Sequence, residues 1–113
     1  MSNPDNLLQV YTLLRSLRKN INENDHFTHE KYIQEYHGLL NELSQIRLVM
    51  DRFQVPEGEV KNQIASLNVL SGNKTYRPFR EVETQFLLTK LDALLEFLDI
   101  KLSKSPHEIG YHS

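Results

Sequence analysis

A chain of 113 residues with 13 basic and 15 acidic side chains has the length of one domain and, at a net charge of -2, no bulk field that would favour nucleic acid or an anionic membrane. It contains no cysteine, which excludes disulfides, thiolate chemistry and cysteine-ligated zinc together and suits a reducing cytoplasm. The start, Met1 to Asp5, lacks the basic and apolar regions of an export signal, and no stretch reaches the ~18 uninterrupted apolar residues of a membrane span, so a cytoplasmic protein without a membrane partner is expected.

The first helix is expected at about residues 4 to 23, with Asn3 as N-cap and Pro4 at the first helical position. Leu7, Val10, Leu14, Leu17 and Ile21 alternate spacings of three and four and form a heptad seam. Arg18 and Lys19 fall in its last turn, before an Asn-rich stop. A second helix is expected at roughly 28 to 53, with Thr28 as cap, a hydrophobic staple from Phe27 to Tyr32, and a seam from Tyr32 through Leu39, Leu43 and Ile46 to Phe53. Val55-Pro56 ends it.

Between Phe53 and Pro78 the periodicity weakens. Leu67–Leu70 and Thr75–Phe79 around Ser71-Gly72-Asn73-Lys74 are compatible with a small hairpin, but the preferred reading of residues 54–77 is an irregular connection with at most a short helical turn. A third helix is expected from Pro78 to Leu102, apolar on two faces. Leu87, Leu88, Leu91, Leu94, Leu95, Leu98 and Leu102 make one stripe. Phe79, Val82, Phe86, Ala93, Phe97 and Ile100 make the other. The fold class that follows is an all-α helical bundle of three long helices, an antiparallel hairpin of the first two packed on the third, with residues 1–104 as the domain and 105–113 as a flexible tail.

Recognisable chemistry is sparse. Asp25-His26-Phe27-Thr28-His29-Glu30 is the only metal-like grouping, and His29 and His37, eight residues apart on a helix, would stand ~12 Å apart, too far to share one ion. No phosphate loop, nucleophile elbow or His-Glu-x-x-His pattern is present, so no catalytic residue, cofactor or metal ligand is assigned. Two basic groups, Arg15, Arg18 and Lys19, and Lys74, Arg77 and Arg80 beside Tyr76, define a nucleic-acid alternative. A metal-dependent helical enzyme using His26, His29 and Glu30 is a second.

The stripe Phe79, Val82, Phe86, Ala93, Phe97 and Ile100 carries the leading expectation. A helix greasy on both sides needs a second cover. That cover is either Val60, Ile64, Leu67, Val69 and Leu70 of the connection, making the stripe ordinary core, or another molecule, which points to a non-enzymatic protein–protein interaction or dimerisation module. Its partner would be a second copy in a homodimer, or a larger subunit to which the chain docks as an adaptor. Tyr36–Leu43 and Leu91–Leu95 resemble stretches of bacterial helical domains of unassigned function, from which no residue role is carried over, and the expected setting is a bacterial complex.

Overall fold

A computed structural model describes residues 4–46, 48 and 51–103. Its elements run in the order α1 (Pro4–Asn20), β1 (Phe27–His29), α2 (Glu30–Gln45), two 3-10 turns at Asp51–Phe53 and Glu57–Glu59, β2 (Lys61–Asn68), β3 (Asn73–Glu83) and α3 (Thr84–Ser103). The strands form one antiparallel sheet in the order β1-β3-β2.

The helical seams bury as their spacing requires. Val10, Leu14, Leu17 and Ile21 of α1 meet Ile33, Tyr36, Leu40 and Leu43 of α2 and Leu87, Leu88, Leu91, Leu94 and Leu98 of α3 in a single core. α1 packs against both of the other helices. Val82, the one buried apolar residue of β3, completes the core from the sheet side.

The all-α bundle is therefore corrected to a mixed α/β fold. Residues 78–83, expected in the third helix, are strand. This stretch pairs with β2 and β1, Phe79, Val82 and their neighbours alternate between faces as a strand does, and Pro78 sits at an irregularity of the register where its missing N–H costs no ladder bond. α3 starts only at Thr84, whose N–H donates to the His26 carbonyl at 2.9 Å. The second helix is also shorter than expected, because Thr28 lies in β1 and does not cap it. His29 is the N-cap instead, its Nδ1 accepting from the Lys31 N–H at 2.9 Å. At the other end the N–H groups of Ile46 and Leu48 both turn back to the Leu43 carbonyl and close the helix. The expected Asn3 cap and the 105–113 tail lie outside the described residues.

The segment after α2 is held by α2 itself. The Tyr36 hydroxyl, fully buried, donates to the Phe53 carbonyl at 2.6 Å, and burial pushes its pKa well above the usual phenol range. Phe53, Val55 and Val60 then enter the core as successive anchors. β1, β3 and α3 meet at a buried hydroxyl pair, Thr28 Oγ1 to Thr84 Oγ1 at 2.7 Å.

The described chain measures 67 × 27 × 18 Å, with a radius of gyration of 17.8 Å where a compact chain of this size has about 13 Å. α3 is about 30 Å long and the eight residues of β2 about 26 Å, so the long dimension is reached only if the β2–β3 hairpin continues outward from the helices. Among the described residues no helix is long and apolar enough to cross a membrane.

The hydroxyl pair at the junction gives a direct test. Thr84→Val leaves the Thr28 hydroxyl buried without a partner and should destabilise the fold by about 1–3 kcal/mol, whereas Thr28→Val with Thr84→Val removes both groups and should recover most of that loss in urea unfolding. A double variant as unstable as the sum of the singles would mean that the pair is not a mutual hydrogen bond.

Candidate functional site

The hairpin is an arm of residues 61–80, and its shape follows from two irregularities in register. Asn62 pairs with Arg80 and Ile64 with Tyr76, so Arg77, Pro78 and Phe79 oppose Gln63 alone. The bulge falls where Pro78 cannot supply a ladder hydrogen bond, and the Asn62 side chain closes the gap by donating to the Arg77 carbonyl at 2.8 Å. A second shift places Ala65 without an opposite residue, after which Ser66 pairs with Thr75 and Leu67 with Lys74.

That register sorts the arm into faces. Directly paired residues share a side, and residues two apart on one strand share it too, so Ile64, Leu67 and Tyr76 lie on one face with Lys74 while Ser66 and Thr75 lie on the other. This is the alternation of a half-buried sheet. Yet among the described residues nothing covers the apolar face: Ile64, Leu67 and Tyr76 are all about half exposed.

The tip is built to hold apolar residues in water. Asn68 Oδ1 accepts from the N–H groups of Leu70 and Ser71 at 3.1 and 3.2 Å, and its carbonyl accepts from Gly72 at 2.8 Å. Gly72 adopts φ 74°, a conformation that other residues rarely take. These bonds involve no side chain of Val69 or Leu70, which stand 82% and 99% exposed. The turn would close as well with serine at both places.

Charge and edges complete the picture. The arm has Lys61, Lys74, Arg77 and Arg80 and no acidic residue, while the rest of the chain holds nine basic against 15 acidic side chains. β2 is an outer strand, and β1 covers β3 only over Glu81–Glu83, so both edges of the arm are open among the described residues. Pro78, two bulges and the lysines discourage strand-on-strand addition along those edges. The inviting surface is the face and the tip.

The arm's base is locked by its arginines. Arg80 forms ion pairs with Glu30 of α2 at 3.0 Å and with Glu57 of the second 3-10 turn, and donates to the Val60 carbonyl at 2.8 Å. Arg77 Nε stands 2.5 Å from Oε1 of the buried Glu81 and its guanidinium lies over Phe79, whose ring meets His29 at 4.7 Å. Arg77, Phe79, Glu81 and His29 border a cleft of about 650 Å³ that also includes His26 and Tyr32.

The residues of the expected partner stripe are dispersed by the fold. Phe79 belongs to that basal cleft and Val82 to the core, so both leave the helix. Phe86 is half-buried against the core, under Lys90. Phe97 stacks on Phe53 at 5.7 Å beneath the Arg52 guanidinium, sealed on that side by the chain's own middle segment. What remains is a shallow apolar groove of about 520 Å³, in which Ala93, Phe97 and Ile100 of α3 meet Arg52 and Phe53.

The basic groups are divided in the same way. Arg18 donates to Asp92 at 2.7 Å, and Arg77 and Arg80 are engaged as described, while Arg15 lies over the Tyr11 ring. Lys19 and Lys74 are exposed, the first on the helical body and the second on the arm. No continuous cationic strip results. His29 Nδ1 is occupied by the helix cap and Glu30 by Arg80, and among the described residues no three His, Asp or Glu side chains are grouped as metal ligands.

Ile64, Leu67, Val69 and Leu70, expected as one of two covers for the aromatic stripe, stand exposed on the arm instead, and only the pairing register shows that Ile64, Leu67 and Tyr76 share a side. Comparison with family models, curated proteins and solved structures yields no match to this chain.

His37 ties the groove to pH. Its Nε2 accepts from the Val55 N–H at 3.0 Å, fixing the segment that carries Phe53, and burial holds its pKa below 6.5 against the opposing pull of Glu57. A lowered folded-state pKa means that stability is full above the ordinary histidine value and is lost as pH falls below about 6.5, where the unfolded chain binds the proton first. The urea midpoint of the wild type should therefore fall between pH 7 and pH 5 more steeply than that of His37→Gln. Parallel profiles would show that His37 titrates without being linked to folding.

Proposed function

We propose that the chain is a non-enzymatic protein–protein interaction module and that its contact element is the β-arm. One observation carries the reading: an amphipathic hairpin, apolar on Ile64, Leu67 and Tyr76 and at the tip Val69–Leu70, projects from the body with no described residue behind its apolar face. An isolated two-stranded hairpin is marginal in water, and exposed contiguous apolar surface on an otherwise well-packed chain marks a site of association. The bonds that shape the tip do not need Leu70, so its exposure serves something other than the turn. The open apolar groove around Phe97 is a second surface of the same kind.

The test separates contact from folding. Leu67→Glu with Leu70→Glu changes two side chains that make no core contact, so the body should keep its stability within about 0.5 kcal/mol. Tagged wild type and variant, each expressed in the source cells at matched levels, should differ in what they retain. At least one species, the untagged chain included, should be lost with the variant. Identical retained sets on an equally stable body would overturn the reading.

A further inference from the structure

From the lengths and charges of its two halves, we propose that the arm is received by a second copy of this chain, in a reciprocal pair where each arm lies along the partner's helical body. This rests on the reading of the arm as contact element and names its occupant.

The geometry is one of matched halves. Arm and α3 leave a common base, since Lys61 pairs with Glu81 three residues before Thr84. From that base the tip residue Leu70 is about 30 Å out along the arm, and Ile100 is about 24 Å along α3 in the other direction. A two-fold axis crossing the molecule at the base lays each arm alongside the other's α3, with Leu70 arriving at the open groove formed by Ala93, Phe97 and Ile100. The chain thus carries a convex apolar tip and a concave apolar groove at nearly equal distances from one point.

Area and charge agree. The exposed side chains of Ile64, Leu67, Val69, Leu70 and Tyr76 present on the order of 600 Å², so one arm on one body buries on the order of 1,000 Å² and two bury on the order of 2,000 Å². A single contact sits at the weak edge of specific interfaces, whereas the reciprocal pair reaches the size of a stable one and closes on itself. The acid-free arm is laid on a body with excess acid. Lys74, opposite Leu67, is about 20 Å from the base and comes level with Glu96, about 18 Å along α3 at the groove's rim. The two basic residues of the groove are engaged within it, Arg52 over Phe53 and Phe97 and Lys90 donating to the Arg52 carbonyl at 2.9 Å. Arm-on-arm pairing of two copies would instead bring Lys74 towards its own counterpart.

The absence of cysteine makes the arrangement testable by cross-linking on the full chain. Leu70→Cys and Ile100→Cys are prepared separately, then mixed and oxidised. The mixture should give a disulfide-linked dimer containing one of each variant, and neither variant alone should cross-link to a comparable extent, because a bridge requires Cα atoms within about 7 Å. Light scattering of the unmodified chain should show a dimer, and Leu67→Glu with Leu70→Glu should convert it to a folded monomer. A wild type that stays monomeric to sub-millimolar concentration overturns the reciprocal pair, as does cross-linking of Leu70→Cys to itself, which would mean tip against tip. A monomer whose arm variants still lose a retained protein leaves the interaction module standing with a different occupant, while a monomer that loses nothing removes both.

Discussion

The third strand is longer than the body that supports it. Over Glu81–Glu83 it has β1 beside it and Val82 in the core, Phe79 and Arg80 still touch His29, Glu30 and Glu57, and from Asn73 to Tyr76 β2 is its one strand neighbour among the described residues. Every other feature follows from that mismatch. The supported end must be anchored firmly enough to carry the rest, and the unsupported end displays an apolar face that no described residue covers.

The anchoring is distributed over groups from distant parts of the sequence. Thr28 and Thr84 join β1 to the start of α3, Arg80 joins β3 to α2 and to the turn at Glu57, and Tyr36 and His37 draw in the segment from Phe53 to Val55. Most of these bonds are buried or half-buried, where an unmade partner costs more than a made one gains. The base is accordingly rigid, and a rigid base is what allows a thin hairpin to present its tip at a defined distance. The bulges at Pro78 and Ala65 bend the ribbon and guard its edges, so that association is directed to one face.

The helical core was legible because leucines repeat at three and four residues, and the pattern from Leu87 to Leu98 buries as its periodicity demands. The arm was legible as a short hairpin of Leu67–Leu70 and Thr75–Phe79 around Ser71-Gly72-Asn73, which the weak alternation of residues 61–68 did not reinforce. The bulge at Ala65 shifts the period of two by one residue in β2, and the bulge at Pro78 adds two residues to β3, so the apolar positions are scattered along the sequence. The extension of α3 back to Pro78 came from Phe79 and Val82, which fit a helical stripe by spacing alone although they belong to a strand and to two different environments. Thr28 was misplaced for a related reason. A cap and a buried hydroxyl partner use the same residue type, and only the arrival of Thr84 from fifty-six positions away decides between them.

The central claim is that a second copy of the chain covers the arm. Hydrogen exchange of the backbone amides of residues 61–80, followed across serial dilution of the full chain, tests it most directly. The two open edges should exchange fast in dilute protein, and the arm as a whole should gain protection as concentration rises, while the amides of α1 and α3 remain unchanged. Arm protection that is the same at every concentration would show that the hairpin is stable unaided, and would contradict the account.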